Sequence, residues 1–243
     1  MMLITSYQIY TQLKQLYKVI IMKTIFLDFE TNGDNSNHRI IQTSYILIKD
    51  GSMNVFDEII HQDTLDPFIT NLTKITYSDL DEGISESELA SHFNDLLDED
   101  TIIVSHNCQF ELSKLFDLLY RYYGYNDAYN ILSRCQYLDT LTIMRDRKSY
   151  VYNKSTHSLK DCIEHYKLTD VQYHNSLYDV LALYKLFVAI IEEKDDVNHY
   201  LNLFGYHPEY PVISKFNFIN YKEQYYINRI DVDTVPKELY RRE

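Results

Sequence analysis

The sequence predicts an α/β fold in which a mixed five-stranded sheet has helices on both faces. Three predicted strands come first, and an Asp-Gly turn signal at 50–51 between the second and the third indicates a hairpin. Strands and helices then alternate along the chain, which is typical of parallel strands joined by crossover helices. The first three strands are therefore expected to be antiparallel and the other two parallel.

Side-chain alternation, helix caps and turn residues predict the elements in chain order. The strands are expected at 24–31, 39–48, 52–61, 101–105 and 134–138. The helices are expected at 85–97, 109–123, 158–166 and 175–191. Residues 62–84 are expected to be mostly loop. A capping box of Ser85 and Glu88 starts the first helix, Gly124 should end the second in a left-handed cap, and Asp139 should cap a further helix.

Length and composition predict one main domain with terminal additions. The chain has 243 residues, enough for one sizeable core, and 45% of them are apolar. We expect an N-terminal extension at 1–21, the main domain at 22–194 and a C-terminal extension at 195–243. The C-terminal segment lacks strong periodicity and is expected to pack on the domain or to serve a protein partner.

The net charge of −13 argues against broad, nonspecific binding of duplex nucleic acid through a basic surface. It leaves nucleic acid open as a substrate, because bound metal ions can receive phosphate inside an acidic site. The three Cys are far apart, which fits buried free thiols in a reducing compartment better than a zinc site or disulfides. With no apparent secretory signal or membrane span, we expect an intracellular, soluble, cytoplasmic protein.

Two acids one residue apart lie in the first predicted strand. Asp28 and Glu30 fall on the same face, and apolar residues occupy both faces of this strand. A covered strand is an unfavourable place for two like charges unless a cation neutralises them, and oxygen ligands suit Mg²⁺ or Mn²⁺. The alternative is that the strand ends at Leu27 and leaves both acids solvated in a loop.

Further acids of interest lie downstream. Asp179 is on the last predicted helix, which is apolar nearly all round, so a carboxylate there should be paired or bound to metal. Alternatively, Asp179 is exposed in the first turn and favours the helix dipole. His174 precedes this helix and could take a proton from water near neutral pH. Glu111 follows a strand-to-helix turn, and alone it would be an ordinary first-turn acid.

Together, three stretches resemble the three motifs of the DEDDh exonucleases, a family that includes proofreading epsilon subunits, RNase T and oligoribonuclease. They are Asp-Phe-Glu-Thr at 28–31, His-Asn-Cys-Gln-Phe-Glu at 106–111 and His-Asn-Ser-Leu-Tyr-Asp at 174–179. The resemblance runs in order over about 23–189 and takes in weaker features at 73–76, 139–141 and 157–159. Three spaced motifs in the same order are far more specific than any one of them.

This resemblance implies a ribonuclease H-like fold and hydrolysis from a 3′ end that releases nucleoside 5′-monophosphates. Asp28, Glu30 and Asp179 would be ligands of the metal ion that activates water, and Asp28 would also bridge to a second ion. Glu111 would complete the acidic set, with His174 as the general base. The implied cofactors are two Mg²⁺ or Mn²⁺ ions, which can stabilise both the attacking and the leaving oxygen.

Five residues are expected to bind substrate because of the same resemblance. Thr31 and Asn32 would meet the terminal sugar through the backbone that follows Glu30. The other three are Thr73, Asn107 and Phe110.

The chain departs from the family pattern at two positions. Glu111 replaces an Asp, which should weaken or retune binding of the second metal, and Lys74 replaces a usual Gly. We therefore consider two functions: a 3′–5′ exonuclease acting on single-stranded DNA or RNA in replication, repair or RNA processing, and a catalytically weakened module. The second would bind nucleic acid or a polymerase or replication partner, with the C-terminal extension as the contact.

Overall fold

The computed structural model describes residues 23–33, 38–148, 157–168, 175–208 and 216–225. The expectations for residues 1–21 and for His174 lie outside these ranges.

A mixed five-stranded sheet forms the centre of the fold, as predicted. Its strands are β1 (Lys23–Thr31), β2 (Ile40–Lys49), β3 (Ser52–Ile59), β4 (Thr101–Ser105) and β5 (Gln136–Asp139). The spatial order is β3-β2-β1-β4-β5. The β1–β2 and β2–β3 pairs are antiparallel, and the β1–β4 and β4–β5 pairs are parallel. The strand that carries Asp28 and Glu30 is therefore the central one.

The β2–β3 hairpin has the two-residue turn that the Asp-Gly signal predicted. Asp50 and Gly51 both have positive φ, 51° and 75°, and Lys49 pairs with Ser52 across the turn. Positive φ at both central residues is what a type I′ hairpin turn requires. This turn sets the register between β2 and β3.

Seven α-helices are described. They are α1 (Pro67–Thr73), α2 (Tyr77–Asp81), α3 (Glu86–Leu96), α4 (Cys108–Arg134), α5 (Thr140–Arg147), α6 (Leu159–His165) and α7 (Ser176–Glu193). The capping box of Ser85 and Glu88 at α3 is confirmed, as is the cap that Asp139 gives to α5.

The prediction that 62–84 is mostly loop is wrong, because α1 and α2 lie there. Asp66 caps α1 and Pro67 occupies its first turn, while Thr76 and Asp79 form a capping box at α2. Helices of one or two turns are too short to show a 3.6-residue period, and their stability comes from caps and from a few buried side chains.

The prediction that Gly124 ends a helix is also wrong in part. Gly124 has φ 79° and ψ 171°, so the helix breaks there without the left-handed cap, and helical structure resumes as far as Arg134. The second part of α4 is held by buried apolar residues such as Ala128 and Leu132, which lie in the core. Glycine suits this kink because other residues rarely adopt φ near 80°.

Helices cover both faces of the sheet, as predicted. On one face, Ile25 and Leu27 of β1 share a core with residues of α3 and α4. On the other face, Phe26 packs with residues of α7, and its ring centroid lies 5.3 Å from that of Phe187. Asp28 and Glu30 point to the same side as Phe26, since successive strand residues alternate, so the acids face α7.

The described part of the C-terminal segment packs against the domain. A 3₁₀-helix (Val197–Tyr200) precedes a two-stranded parallel sheet of β6 (Leu203–Tyr206) and β7 (Asn220–Glu223). Val197, Phe204 and Ile219 are buried in the two cores. The domain boundaries at 22 and 194 stay a prediction. No helix in the described ranges is long and apolar enough to cross a membrane.

Candidate functional site

A cluster of three carboxylates lies where β1 meets the start of α7. Asp28, Glu30 and Asp179 each offer one oxygen, and these oxygens all lie within 4.8 Å of one another. All three residues are half-buried. The sheet supplies two of the acids from adjacent positions on one strand face, and the first turn of α7 brings the third from 149 positions further along the chain. The alternative of two acids solvated in a loop is excluded, because both belong to β1.

The pairing of β1 with β2 changes immediately after the second acid. Glu30 pairs with Gln42 and Thr31 pairs with Ile40, so the register skips Ile41. An irregularity of this kind bends the strand and re-aims the side chains beside it. It separates the regular part of β1, which carries the acids, from the loop that follows.

Burial and the charges of neighbouring acids make Asp28 and Glu30 hard to ionise in the metal-free protein. Burial raises the pKa of Asp28 well above its usual value, and the neighbouring acids raise it further. Burial, followed by the charge of Asp179, raises the pKa of Glu30 from 4.5 to about 7. Both shifts favour the neutral acid, so a cation at the cluster would offset a large repulsion.

Glu111 lies in the first turn of α4 and is buried, with 4% of its surface exposed. It is not one of the three mutually close acids, but its charge is near enough to raise the pKa of Asp28. Burial also raises the pKa of Glu111 itself well above its usual value. Its Oε2 atom is buried and has no hydrogen-bond partner among the described residues. A buried carboxylate oxygen in this state needs a proton or a cation.

These residues fit a hard divalent cation. The cluster offers only carboxylate oxygens, the donor type that Mg²⁺ and Mn²⁺ prefer. The pKa values of Asp28 and Glu30 are raised and the buried Oε2 of Glu111 has no hydrogen-bond partner among the described residues, so a cation at the site would favour the ionised form of these acids.

Two residues near the site have roles that the sequence did not assign. His106 is half-buried, and desolvation lowers its pKa to about 4, so its ring is neutral near pH 7. Its Nε2 lies 2.8 Å from the carbonyl oxygen of His157, so this nitrogen carries the proton, and its Nδ1 lies 2.9 Å from Oγ1 of Thr140. His106 therefore ties the start of α4 to the segment before α6.

Asp139 caps two helices at once. Its Oδ1 accepts hydrogen bonds from the backbone N–H groups of Asn107 and Cys108, at 2.9 Å and 3.2 Å, and from that of Leu141. The carboxylate thereby fixes the first turn of α4, which carries Glu111. The helix-cap signal at 139 predicted only the cap of α5, because the contact with α4 depends on the parallel pairing of β4 and β5.

Three of the predicted substrate-binding residues are buried and hydrogen-bonded within the protein. The hydroxyl group of Thr31 donates to the carbonyl of Gly33 at 2.6 Å. The side-chain N–H₂ of Asn32 donates to Thr64, and its side-chain oxygen Oδ1 accepts a hydrogen bond from the backbone N–H of Arg39. The hydroxyl group of Thr73 donates to a backbone carbonyl within α1. These contacts hold the loops beside the site, and a role in substrate binding stays a prediction.

The other two predicted substrate residues are more accessible. Phe110 is 36% exposed, and Nζ of Lys114 lies 5.6 Å from its ring centroid. Asn107 has the left-handed conformation, with φ 78° and ψ 50°, and precedes the first turn of α4. An exposed aromatic ring is suited to stacking on a base, whereas Lys114 is buried and its Nζ donates to the carbonyl of His38 at 2.8 Å.

A family model described as the RNase T exonuclease family matches residues 25–187. This range contains all three motifs and the four acids. No curated protein matches the chain in overall sequence.

Several solved structures share the fold at low sequence identity. Exonuclease I of E. coli in complex with a dT13 oligonucleotide is 18% identical, with a TM-score of 0.59 over 71% of this chain and 41% of that chain. Exonuclease X in complex with 5′ overhanging duplex DNA is 16% identical, with a TM-score of 0.55 over 73% of this chain and 96% of that one.

Pop2p of S. pombe in a form that binds Mg²⁺ and Mn²⁺ is 16% identical, with a TM-score of 0.59 over 81% of this chain and 92% of that one. At such identities the likeness shows the fold alone. The chain also spans less than half the length of exonuclease I.

Proposed function

Because the chain belongs to the RNase T exonuclease family, we propose that it is a metal-dependent 3′–5′ exonuclease acting on single-stranded DNA or RNA. It would hydrolyse phosphodiester bonds from the 3′ end and release nucleoside 5′-monophosphates. The observation that carries the proposal is the meeting of Asp28, Glu30 and Asp179 at one point of the fold. Similarity to nucleases solved with DNA supports a polymeric substrate.

In the proposed mechanism, Asp28, Glu30, Asp179 and Glu111 would hold two Mg²⁺ or Mn²⁺ ions. Bound ions of this kind lower the pKa of water and stabilise the attacking and leaving oxygens of an in-line displacement. The buried Oε2 of Glu111 is the oxygen available to complete the set, directly or through a water molecule. The S. pombe Pop2p structure with Mg²⁺ and Mn²⁺ supports this choice of metals.

His174 is proposed as the general base that takes the proton from the attacking water. The proposal rests on its position in the third motif, two residues before α7. A neutral imidazole with an ordinary pKa of about 6.5 can accept a proton near neutral pH. Phe110, which is 36% exposed, is proposed to stack on a base near the 3′ end.

Location and protein partners belong to the same proposal. We infer a cytoplasmic enzyme, and a polymerase or other protein would bind through the C-terminal extension at 195–243. A similar structure, CAF1, was solved with a domain of NOT1, which supports partner binding by proteins of this fold.

The proposal is tested by incubating 3′-tailed single-stranded DNA and RNA oligonucleotides with the protein and Mg²⁺ or Mn²⁺. The wild type should release mononucleotides from at least one polymer, and Asp28→Asn and His174→Ala should each lower the rate by at least about a hundredfold. Asp95→Asn is the matched control, since it removes an exposed acid on α3 and should leave the rate unchanged.

Two results would contradict the enzyme. One is that folded protein, shown to bind Mn²⁺, releases no mononucleotide from either DNA or RNA. This result would favour the catalytically weakened binding module. The other is an Asp28→Asn variant as active as the wild type.

A further inference from the structure

A hydrogen-bond network connects β2 and β3 with the first residue of α7. The hydroxyl oxygens of Ser44 and Ser176 lie 2.5 Å apart, and the hydroxyl of Ser44 lies 2.6 Å from Oδ1 of Asp57. Nε2 of Gln42 lies 2.8 Å from the same Oδ1, and Oε1 of Gln42 is 3.4 Å from the backbone nitrogen of Ser176. The exposed carboxylate of Asp57 is thus connected to Ser176 of α7 by two chains of hydrogen bonds, one through Ser44 and one through Gln42.

The carboxylate of Asp57 determines which group donates in each of these hydrogen bonds. An ionised Asp57 only accepts, so Ser44 donates its proton to Asp57 and must accept the proton of Ser176. In the same way, the amide N–H₂ of Gln42 turns toward Asp57, which leaves its carbonyl oxygen for the N–H of Ser176. Ser176 therefore gives both its hydroxyl proton and its backbone N–H to residues of β2.

The network borders the carboxylate cluster. Ser44 is the cross-strand partner of Asp28, and Gln42 is that of Glu30. Residues directly opposite one another in an antiparallel pair have their side chains on the same face of the sheet. Ser176, the fourth residue of the network, is fully buried and lies about one helical turn before Asp179.

The position of α7 relative to β1 determines how far Asp179 lies from Asp28 and Glu30. The charge of Asp179 raises the pKa values of both other acids, so the three repel one another when ionised. Apolar packing of α7 against the sheet resists separation, but such packing is not directional. Hydrogen bonds at the first residue of the helix are directional, and they act one turn from the acid that has to be placed.

We propose that Gln42, Ser44 and Asp57 are positioning residues, which hold Ser176 and thereby keep Asp179 at the distance from β1 that a divalent metal ion requires. This inference rests on the proposed function in one respect, namely that the cluster binds metal. None of the three residues needs to touch the metal ion or the substrate. Partners that orient metal ligands typically contribute 10-fold to 100-fold to metal affinity.

The test measures Mn²⁺ binding to the full chain without nucleic acid, by calorimetry and by electron paramagnetic resonance of the free ion. Asp57→Ala and Ser44→Ala should each weaken Mn²⁺ binding by about tenfold. Ser44→Ala and Ser176→Ala both remove the hydrogen bond between the two hydroxyl groups. The double variant should therefore bind Mn²⁺ as tightly as the weaker-binding of the two single variants. Thermal unfolding of each variant checks that the protein is folded.

Two controls separate positioning from charge and from general loss of stability. Glu58→Ala removes one neighbouring negative charge from the opposite face of the same exposed strand, so it matches Asp57→Ala in charge. Ser85→Ala removes a helix cap on α3 and should lower the unfolding temperature without changing Mn²⁺ affinity. Asp57 is exposed, so its replacement should leave the fold intact. Asp57→Ala therefore still tests the inference when a variant of a buried serine unfolds.

Equal Mn²⁺ affinity of the wild type and Asp57→Ala would overturn the inference and leave the exonuclease proposal standing. So would a loss of affinity in Glu58→Ala as large as in Asp57→Ala, because the effect would then be one of charge. A wild type that binds no Mn²⁺ would overturn both proposals.

Discussion

Glu30 links the chemistry of the site to the stability of the protein. Its pKa is raised from 4.5 to about 7, so between these values the folded protein keeps a proton that the unfolded chain has lost. Stability falls with rising pH wherever the folded state binds more protons. The contribution of the protonated Glu30 is therefore fully present below pH 4.5 and is lost as the pH rises through 7.

We predict that the metal-free protein loses a few kcal/mol of unfolding free energy, at about 1.4 kcal/mol per pH unit, as the pH rises from 5 to 7.5. Denaturant titration in EDTA measures this directly. With Mn²⁺ the trend should reverse, because metal ions bind the ionised acids. Glu30→Gln should flatten the metal-free profile. An unchanged slope in that variant would mean that other groups carry the titration.

At the scale of elements, Lys74 shows how one backbone conformation is retained by an unsuitable residue. It ends α1 with φ 70° and ψ 3°, the left-handed conformation in which glycine is usually found. The sequence comparison with the family, which usually has Gly there, indicated that Lys lacks the backbone freedom for this position. The structure keeps the conformation with Lys, and its N–H still bonds to the carbonyl of Thr70.

Lys74→Gly is therefore predicted to stabilise the protein by about 1 kcal/mol, because glycine has no Cβ to strain in this conformation. Glu82→Gly is the matched control: Glu82 ends α2 with an ordinary φ of −89°, so glycine there should destabilise the protein slightly. Urea denaturation compares the two variants. Loss of stability in both would show that the left-handed position is not strained.

The elements that sequence could predict are those with strong local signals. Alternating apolar residues gave the five strands, and Ser85 and Asp139 marked helix starts that the structure confirms. The helices α1 and α2 were not predicted, because helices of one or two turns are too short to show a 3.6-residue hydrophobic period. The second part of α4 was not predicted, because a glycine such as Gly124 commonly ends a helix. Here helical structure continues beyond the kink, where Ala128 and Leu132 are buried in the core.

For the whole molecule, the sequence motifs predicted which acids meet, but not what holds them together. Asp28, Glu30 and Asp179 gather as the motifs implied, and Glu111 is buried nearby. The network from Asp57 to α7 could not be predicted, because it depends on the β2–β3 register and on a contact between Ser44 and Ser176, 132 residues apart. Long-range contacts of this kind leave no periodic trace in a sequence.

The C-terminal segment provides a test of the predicted boundary at 194. Val197, Phe204 and Ile219 are buried in the cores, and each buried apolar side chain contributes about 1.5–3 kcal/mol. A chain ending at 194 is therefore predicted to unfold at a much lower temperature than the full chain. A chain ending at 225 keeps all of these contacts and serves as the control. Equal melting of the chain ending at 194 would show that the segment is dispensable for the fold.

The central position of β1 has a consequence for how the site moves. β1 is paired with β2 along nearly its whole length and with β4 over Lys23–Phe26, and cores cover both of its faces there, so the backbone amides of this part should exchange with solvent only when the whole domain opens. The entropy of ordering Asp28 and Glu30 is then lost during folding and not at the moment a ligand arrives. Asp179 comes instead from the first turn of α7, which depends on the contacts of Ser176 with Gln42 and Ser44, so variation in metal affinity among related sequences should arise from the residues around that turn and not from the strand.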